Sequence, residues 1–149
     1  MSEIHTGGCQ CGAVRFHVEG PLGRASICHC RMCQKAFGNV IAPLVSVRQA
    51  VLTWTKAEPA RFQSSNIVRR GFCPACGTPL TYEAPDGVAV AIGAFDHPAT
   101  IVPDIQYGIE GRVPWLDHIN DWPVRTTMED LDSAPFLDGM VSYQHPDAP

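Results

Sequence analysis

The sequence predicts a mainly β fold of short antiparallel strands with little helix. Three observations carry this. The chain has 149 residues, the usual size of one domain and enough to bury a real core. Glycine and proline number 13 each, and turn residues in that supply cut a chain into short segments. Between them lie brief β-branched and aromatic runs, with little of the 3.6-residue periodicity of amphipathic helices.

In chain order, Ala13–Val18 (AVRFHV) alternates and puts Val14, Phe16 and Val18 on one face of a strand. Cys30–Phe37 has room for one or two helical turns. Val40–Val47, Val51–Thr55, Ile67–Phe72, Leu80–Tyr82 and Val88–Ile92 are further strand runs, each bounded by Gly, Pro or charge. Asp86–Gly87 separates the last two and reads as a hairpin turn. Asp96-His97-Pro98 reads as a turn. Met128–Leu131 is a second short helical possibility, with Thr127 and Asp130 loosely imitating a capping box. Trp54, Trp115 and Trp122 read as core or rim.

Composition and charge exclude several classes of function. The chain is 45% hydrophobic and 17% charged; the charged share lies below the usual ~25%, which argues against a coiled coil or a long solvated tail. The formal net charge is -4 and is unevenly placed. No Lys or Arg follows Arg125, whereas Glu129, Asp130, Asp132, Asp138 and Asp147 do. Residues 1–125 are therefore expected to form the domain proper, with 126–149 as an acidic C-terminal tail, packed or partly flexible. Without a basic stripe (Arg69–Arg70 is too short) nucleic acid is not an expected partner. No apolar run nears the ~18 residues of a membrane span. The sequence carries no signal for an oligomeric state.

Seven cysteines stand out: Cys9, Cys11, Cys28, Cys30, Cys33, Cys73 and Cys76. An odd number cannot form a complete set of internal disulfides. The N-terminus MSEIHTGGCQCG lacks the basic and apolar regions of a secretory signal. The cytoplasm is the expected compartment, and there clustered cysteines more often bind metal or do catalysis.

The clusters read Cys9-x-Cys11, Cys28-x-Cys30-x2-Cys33 and Cys73-x2-Cys76. The last continues to Gly77, which permits the knuckle turn that aims two sulfurs and backbone N–H groups inward. Zinc wants four ligands in a tetrahedron, so one CxxC supplies half a site. Two assignments follow. Cys9 and Cys11 can join Cys73 and Cys76, leaving Cys28, Cys30 and Cys33 as a local tripod. Alternatively Cys30 and Cys33 pair with Cys73 and Cys76. Spacing does not decide, although the second assignment splits the tripod. In the first, four thiolates close one zinc site, and three leave an open position of the kind that catalytic zinc uses for water or substrate. That vacancy suits a soft ligand such as a thiol, which would be deprotonated on entering it.

Arg24, Arg31, Lys35, Arg69 and Arg70 read first as surface bases, with a second use in offsetting thiolate charge or binding a substrate carboxylate. His29, if residues 28–30 are extended, points opposite to Cys28 and Cys30. Gln34, Lys35 and Phe37 are candidates to line the open position. His118 reads first as a structural histidine capping a β-edge.

Three blocks together resemble a known family: Gly8-Cys9-Gln10-Cys11-Gly12-Ala13-Val14-Arg15-Phe16, Cys28-His29-Cys30-Arg31-Met32-Cys33-Gln34-Lys35 and Arg70-Gly71-Phe72-Cys73-Pro74-Ala75-Cys76-Gly77-Thr78. In order and spacing they look like the signature of the glutathione-dependent formaldehyde-activating enzymes, also called the centromere-protein-V family. The resemblance runs from Gly7 to about Trp122 and takes in Gly93, Asp96, Pro98 and His118. It implies small antiparallel sheets in a β-tent arrangement around a structural zinc, and it implies the first assignment. Two zinc ions are then expected, one structural on Cys9, Cys11, Cys73 and Cys76, and one at a catalytic centre on Cys28, Cys30 and Cys33. It further implies a carbon–sulfur lyase that acts on a small thiol adduct, as in the joining of glutathione and formaldehyde to S-(hydroxymethyl)glutathione. A non-catalytic carrier or sensor of glutathione or zinc is the alternative with the same two sites. A purely structural module would need His29 or His118 as a fourth ligand to the tripod.

Overall fold

The computed structural model describes residues 2–149. Ten strands form two sheets among them. β1 (Ile4–Gly8), β2 (Arg15–Glu19) and β5 (Val51–Trp54) make an antiparallel sheet in the order β1-β2-β5. The second sheet holds β3 (Ala25–Cys28), β4 (Ala42–Ser46), β6 (Ala60–Gln63), β7 (Arg69–Phe72), β8 (Pro79–Ala84), β9 (Gly87–Ala91) and β10 (Ile105–Tyr107). Its order is β10-β3-β4-β9-β8-β7-β6, antiparallel throughout except for β10 alongside β3. The one α-helix among the described residues, α1 (Arg31–Phe37), follows β3. The mainly β, helix-poor expectation holds.

The alternation read in Ala13–Val18 is realised: Val14, Phe16 and Val18 are buried together with Val45, Leu80, Val90 and Phe95, so both sheets share one core. Phe16 stands edge-on to Trp54 and Phe95, with ring centroids 5.8 and 5.2 Å apart. Trp54 packs at the margin of this core, as expected of it.

Two local expectations are corrected, and the expected turn at Asp96-His97-Pro98 is present with a buried side chain in it. The β8–β9 pairing sets Glu83 opposite Val88 and Ala84 opposite Gly87, so the two-residue loop is Pro85–Asp86. Proline fixes a negative φ at the first loop residue, and Gly87, which opens β9, carries the positive φ (+137°). Asp96 does lie in a bend, but its side chain is buried, held by Arg15 and Thr6. Near Met128 the capping contact runs from the Thr126 N–H to Glu129 at 2.6 Å, one residue earlier than Thr127 with Asp130, and the turn Met128–Asp130 is 3-10.

The chain divides into two units. The first runs to Arg112 and includes Gln144–Pro149; it holds both sheets and α1. Its returning segment is tied to the β1–β2 region by the His145 N–H on Gln10 O (2.7 Å) and by Arg15 on Ala148 O (2.8 Å). The second unit, Val113–Tyr143, is built of 3-10 turns: Pro114–Asp121, Met128–Asp130 and Pro135–Gly139. Within it Trp115 and Trp122 lie 5.7 Å apart, and exposed His118 is 3.5 Å from Asp121. His118 thus sits in a 3-10 turn and not at a β-edge. No helix among the described residues is long and apolar enough to cross a membrane.

Candidate metal centres

The hairpin loops β1–β2 and β7–β8 each carry two cysteines, and the fold brings the loops together. In the second, the Gly77 N–H closes on Cys73 O at 2.8 Å, and the Cys73 N–H returns to Thr78 O at 3.0 Å. Gly77 adopts φ +83°, a conformation that side chains disfavour. The Gln10 N–H donates to Thr78 Oγ1 at 3.0 Å and locks one loop to the other. The sulfurs of Cys9, Cys11, Cys73 and Cys76 consequently lie within 4.8 Å of one another.

Zinc fits this set on geometry. Bonds of ~2.3 Å in a tetrahedron put sulfurs ~3.8 Å apart. The Cys9–Cys11 separation is 3.6 Å and the Cys11–Cys73 separation 3.8 Å. The donor chemistry agrees. Burial pushes the Cys76 thiol up, but the Thr78 hydroxyl, the Cys11 and Thr78 backbone N–H groups and Cys73 outweigh it and bring it down to about 6. All seven cysteines are free thiols.

The second cluster is local. Cys28 ends β3; Cys30 is the extended N-cap of α1, and its sulfur accepts the Cys33 N–H at 3.4 Å. A helical turn after an extended residue folds Cys33 back over the other two, and the three sulfurs lie within 4.8 Å of one another. Among the described residues no histidine or carboxylate joins them. Burial is the largest influence on Cys28, which is pushed up to about 12. Burial also raises Cys30, but hydrogen bonds from the Cys33 N–H and from Cys28 outweigh it, and the thiol falls below its ordinary value. Cys28 and Cys30 are thus shifted in opposite directions, and a dication held by the set would displace their protons.

β10 supports this loop from behind. The His29 N–H donates to Tyr107 O at 2.9 Å, and at Gly108 (φ +62°) a Cβ would stand 2.8 Å from Cys30 Cβ and N. His29 is buried, with Nε2 on Gln106 Oε1 at 2.8 Å and Nδ1 without a partner. Its ring is therefore committed to β10 and lies outside the sulfur cluster.

The three sulfurs open onto a cavity of about 800 Å³. Arg24, Arg48, Arg70, Asp86, Tyr82 and Tyr107 are among its polar lining, and Met32, Leu44 and Val88 among its apolar wall. Of the bases singled out from sequence, Arg24 is on this wall and bonds Asp104 at 2.9 Å, and Arg70 reaches Cys33 Sγ at 3.3 Å. Arg31 instead bonds Gln34, and Arg69 bonds Glu83. The residues expected to line the open position lie elsewhere. Gln34 is buried and spends its amide on Val40 O and Gly111 O; Phe37 lines a separate pocket of about 220 Å³; Lys35 is exposed. Met32, on the first turn of the helix, takes their place.

Nothing in the sequence marks Tyr82 or Arg48 as site residues. Tyr82 is one residue of an ordinary strand run, and Arg48 comes from the loop after β4; only sheet pairing carries them to the cysteines. Burial raises the Tyr82 phenol, and the negative field of Cys33 adds to it, so the hydroxyl keeps its proton.

Residues 4–110 match the family model described as glutathione-dependent formaldehyde-activating enzyme. A crystal structure of a Rhodobacter sphaeroides protein, a structural-genomics target, is similar to this chain with a TM-score of 0.50 and 20% identity, covering 68% of this chain and 98% of that one. At that identity the likeness concerns the fold.

Proposed function

The chain belongs to the glutathione-dependent formaldehyde-activating enzyme family, and from that premise we propose that it joins a small thiol, glutathione in the family's description, to formaldehyde at the Cys28–Cys30–Cys33 centre. One observation supports this above the rest: three sulfurs gathered without a fourth protein ligand on the wall of an 800 Å³ cavity. Cys9, Cys11, Cys73 and Cys76 form a closed set, which suits a structural ion. The three-sulfur set has room for one more ligand.

In this reading Cys28, Cys30 and Cys33 hold the second zinc. Zinc bound there supplies a Lewis acid that keeps an incoming thiol deprotonated at neutral pH. Joining the substrates forms a bond between sulfur and the aldehyde carbon. The carbonyl oxygen gains the electron pair and then a proton. The chain's own groups serve that change. Tyr82 Oη retains its proton and is a hydrogen-bond donor for the oxygen as charge develops on it. Arg24 and Arg48, now paired with Asp104 and Asp86, are the wall's bases that a substrate carboxylate would engage. Met32, Leu44 and Val88 give the site an apolar side beside the sulfurs. Formally this is a carbon–sulfur lyase run in the synthetic direction. It suits the cytoplasm, where thiols stay reduced.

The test is zinc content followed by formaldehyde consumption with and without glutathione. Wild type should bind two zinc ions and consume formaldehyde faster than the uncatalysed mixture, only when glutathione is present. Cys30→Ser should retain one zinc and lose the acceleration. A wild-type rate equal to the spontaneous one refutes the reading, and thiol binding seen by calorimetry without turnover would identify a carrier or sensor instead.

A further inference from the structure

We propose that Arg70 is a positioning residue of the three-cysteine centre. Its guanidinium, bonded to Cys33 Sγ, balances the charge left around a bound dication and sets how tightly that centre holds zinc. This rests on the reading that Cys28, Cys30 and Cys33 are zinc ligands.

The argument begins with alternation along β7. Arg69 points outward, half exposed, to Glu83, and its neighbour Arg70 points inward and is only 3% exposed. A buried guanidinium is costly unless an anion faces it. The partners of Arg70 are Ser64 Oγ, which accepts from Nε at 2.9 Å, and Cys33 Sγ, which accepts from Nη2 at 3.3 Å. The Tyr82 ring lies 5.1 Å from the guanidinium carbon. Nη1 is buried without a partner. No carboxylate is in this set, so the negative charge that justifies burying Arg70 is that of the cysteine cluster.

Charge arithmetic gives the reason. Three thiolates around Zn²⁺ leave one negative charge, and one guanidinium cancels it. The cancellation matters because Cys33 and Arg70 are both buried and weakly screened. The other cluster is handled differently, with neutral donors: the Val14 N–H on Cys9 and the Thr78 hydroxyl beside Cys76. Arg70 therefore acts on the three-cysteine centre through a ligand sulfur and supports one metal site selectively.

The experiment is competition for zinc between the full-length protein and a chromophoric chelator, with Cys30→Ser marking which of the two ions belongs to the four-cysteine site. Losing a hydrogen-bond partner of a metal ligand typically costs ~10–100-fold in metal affinity. Arg70→Met should weaken the three-cysteine centre by about that factor and leave the other unchanged. Arg70→Lys, which keeps the charge but not the fork, should fall between Arg70→Met and wild type. With cobalt in place of zinc, the sulfur-to-metal charge-transfer band should shift in Arg70→Met, a change that loose packing alone would not produce. Unchanged affinities, equal weakening of both centres, or Arg70→Lys no better than Arg70→Met overturns the proposal. Wild type binding a single zinc overturns the zinc reading itself, and this inference with it.

Discussion

Removing the carboxylate of Asp96 should destabilise the fold by about 3–5 kcal/mol, the usual cost of stranding one partner of a buried ion pair. Asp96 and Arg15 have side chains 3% and 6% exposed and meet fork to fork, with Nη1–Oδ1 at 3.0 Å and Nη2–Oδ2 at 2.7 Å. The Thr6 hydroxyl adds a third bond at 2.6 Å. Asp96→Ala deletes all three acceptor contacts and leaves Arg15 only Ala148 O at 2.8 Å. Hydrogen bonds to charged groups are worth ~1.5–3 kcal/mol each. Their gross loss, about 4.5–9 kcal/mol, runs from within the stated range to above it, and the retained carbonyl and entering water bring it down. For a chain of this size each kcal/mol moves the melting midpoint by ~2–4 °C, so a fall of about 6–20 °C is expected. The assay is thermal and urea unfolding of zinc-saturated protein at pH 7, with zinc content measured on every sample. The double variant Arg15→Met with Asp96→Leu should recover most of the loss, because no lone charge remains. A loss below ~1 kcal/mol for Asp96→Ala, or a double variant no more stable than the single, would refute the reasoning.

The same pair predicts a pH dependence. Burial raises the Asp96 carboxyl, but the bonds from Arg15 and Thr6 outweigh it and hold it below its ordinary value. Its stabilisation is therefore full above the unfolded value of ~3.9 and is lost as pH falls through the lower folded value, so the urea-midpoint gap between wild type and Asp96→Asn should stay constant from pH ~7 to ~5 and close only in acid. Gly108→Ala would bring a Cβ to 2.8 Å from Cys30, and selective loss of one of the two zinc ions is the expected result in a metal assay. Cys73→Ser breaks the closed set at its most buried sulfur, and circular dichroism should show loss of cooperative folding, since structural zinc contributes folding free energy directly. We also propose that residues 1–125 are the zinc-binding domain. A chain stopped after Arg125 should bind two zinc ions, yet melt a few degrees lower because His145 and Ala148 no longer tie down Gln10 and Arg15.

Much of this protein is legible in its sequence alone. Strands carried by apolar alternation, such as β2 with Phe16 and Val18, follow from a period of two against one buried face. The grouping of Cys28, Cys30 and Cys33 is local, and so is the helical turn that gathers them. What the sequence hid has a common cause. β1 (IHTGG), β3 (ASIC), β6 (ARFQ) and β10 (IQY) are short and lack a strong apolar face; they are strands because a neighbouring ladder accepts them. Spacing alone could not say which half-site Cys73 and Cys76 complete, because that pairing depends on two hairpin loops meeting across 62 positions between Cys11 and Cys73. Nor could it tell Arg70 from Arg69. Strand direction turns one to solvent and the other to Cys33, and Tyr82 reaches the same cavity only because β8 pairs with β7. Local chemistry thus determined which sulfurs exist in clusters. Long-range pairing decided which clusters close, which stays open, and which charge stands beside it.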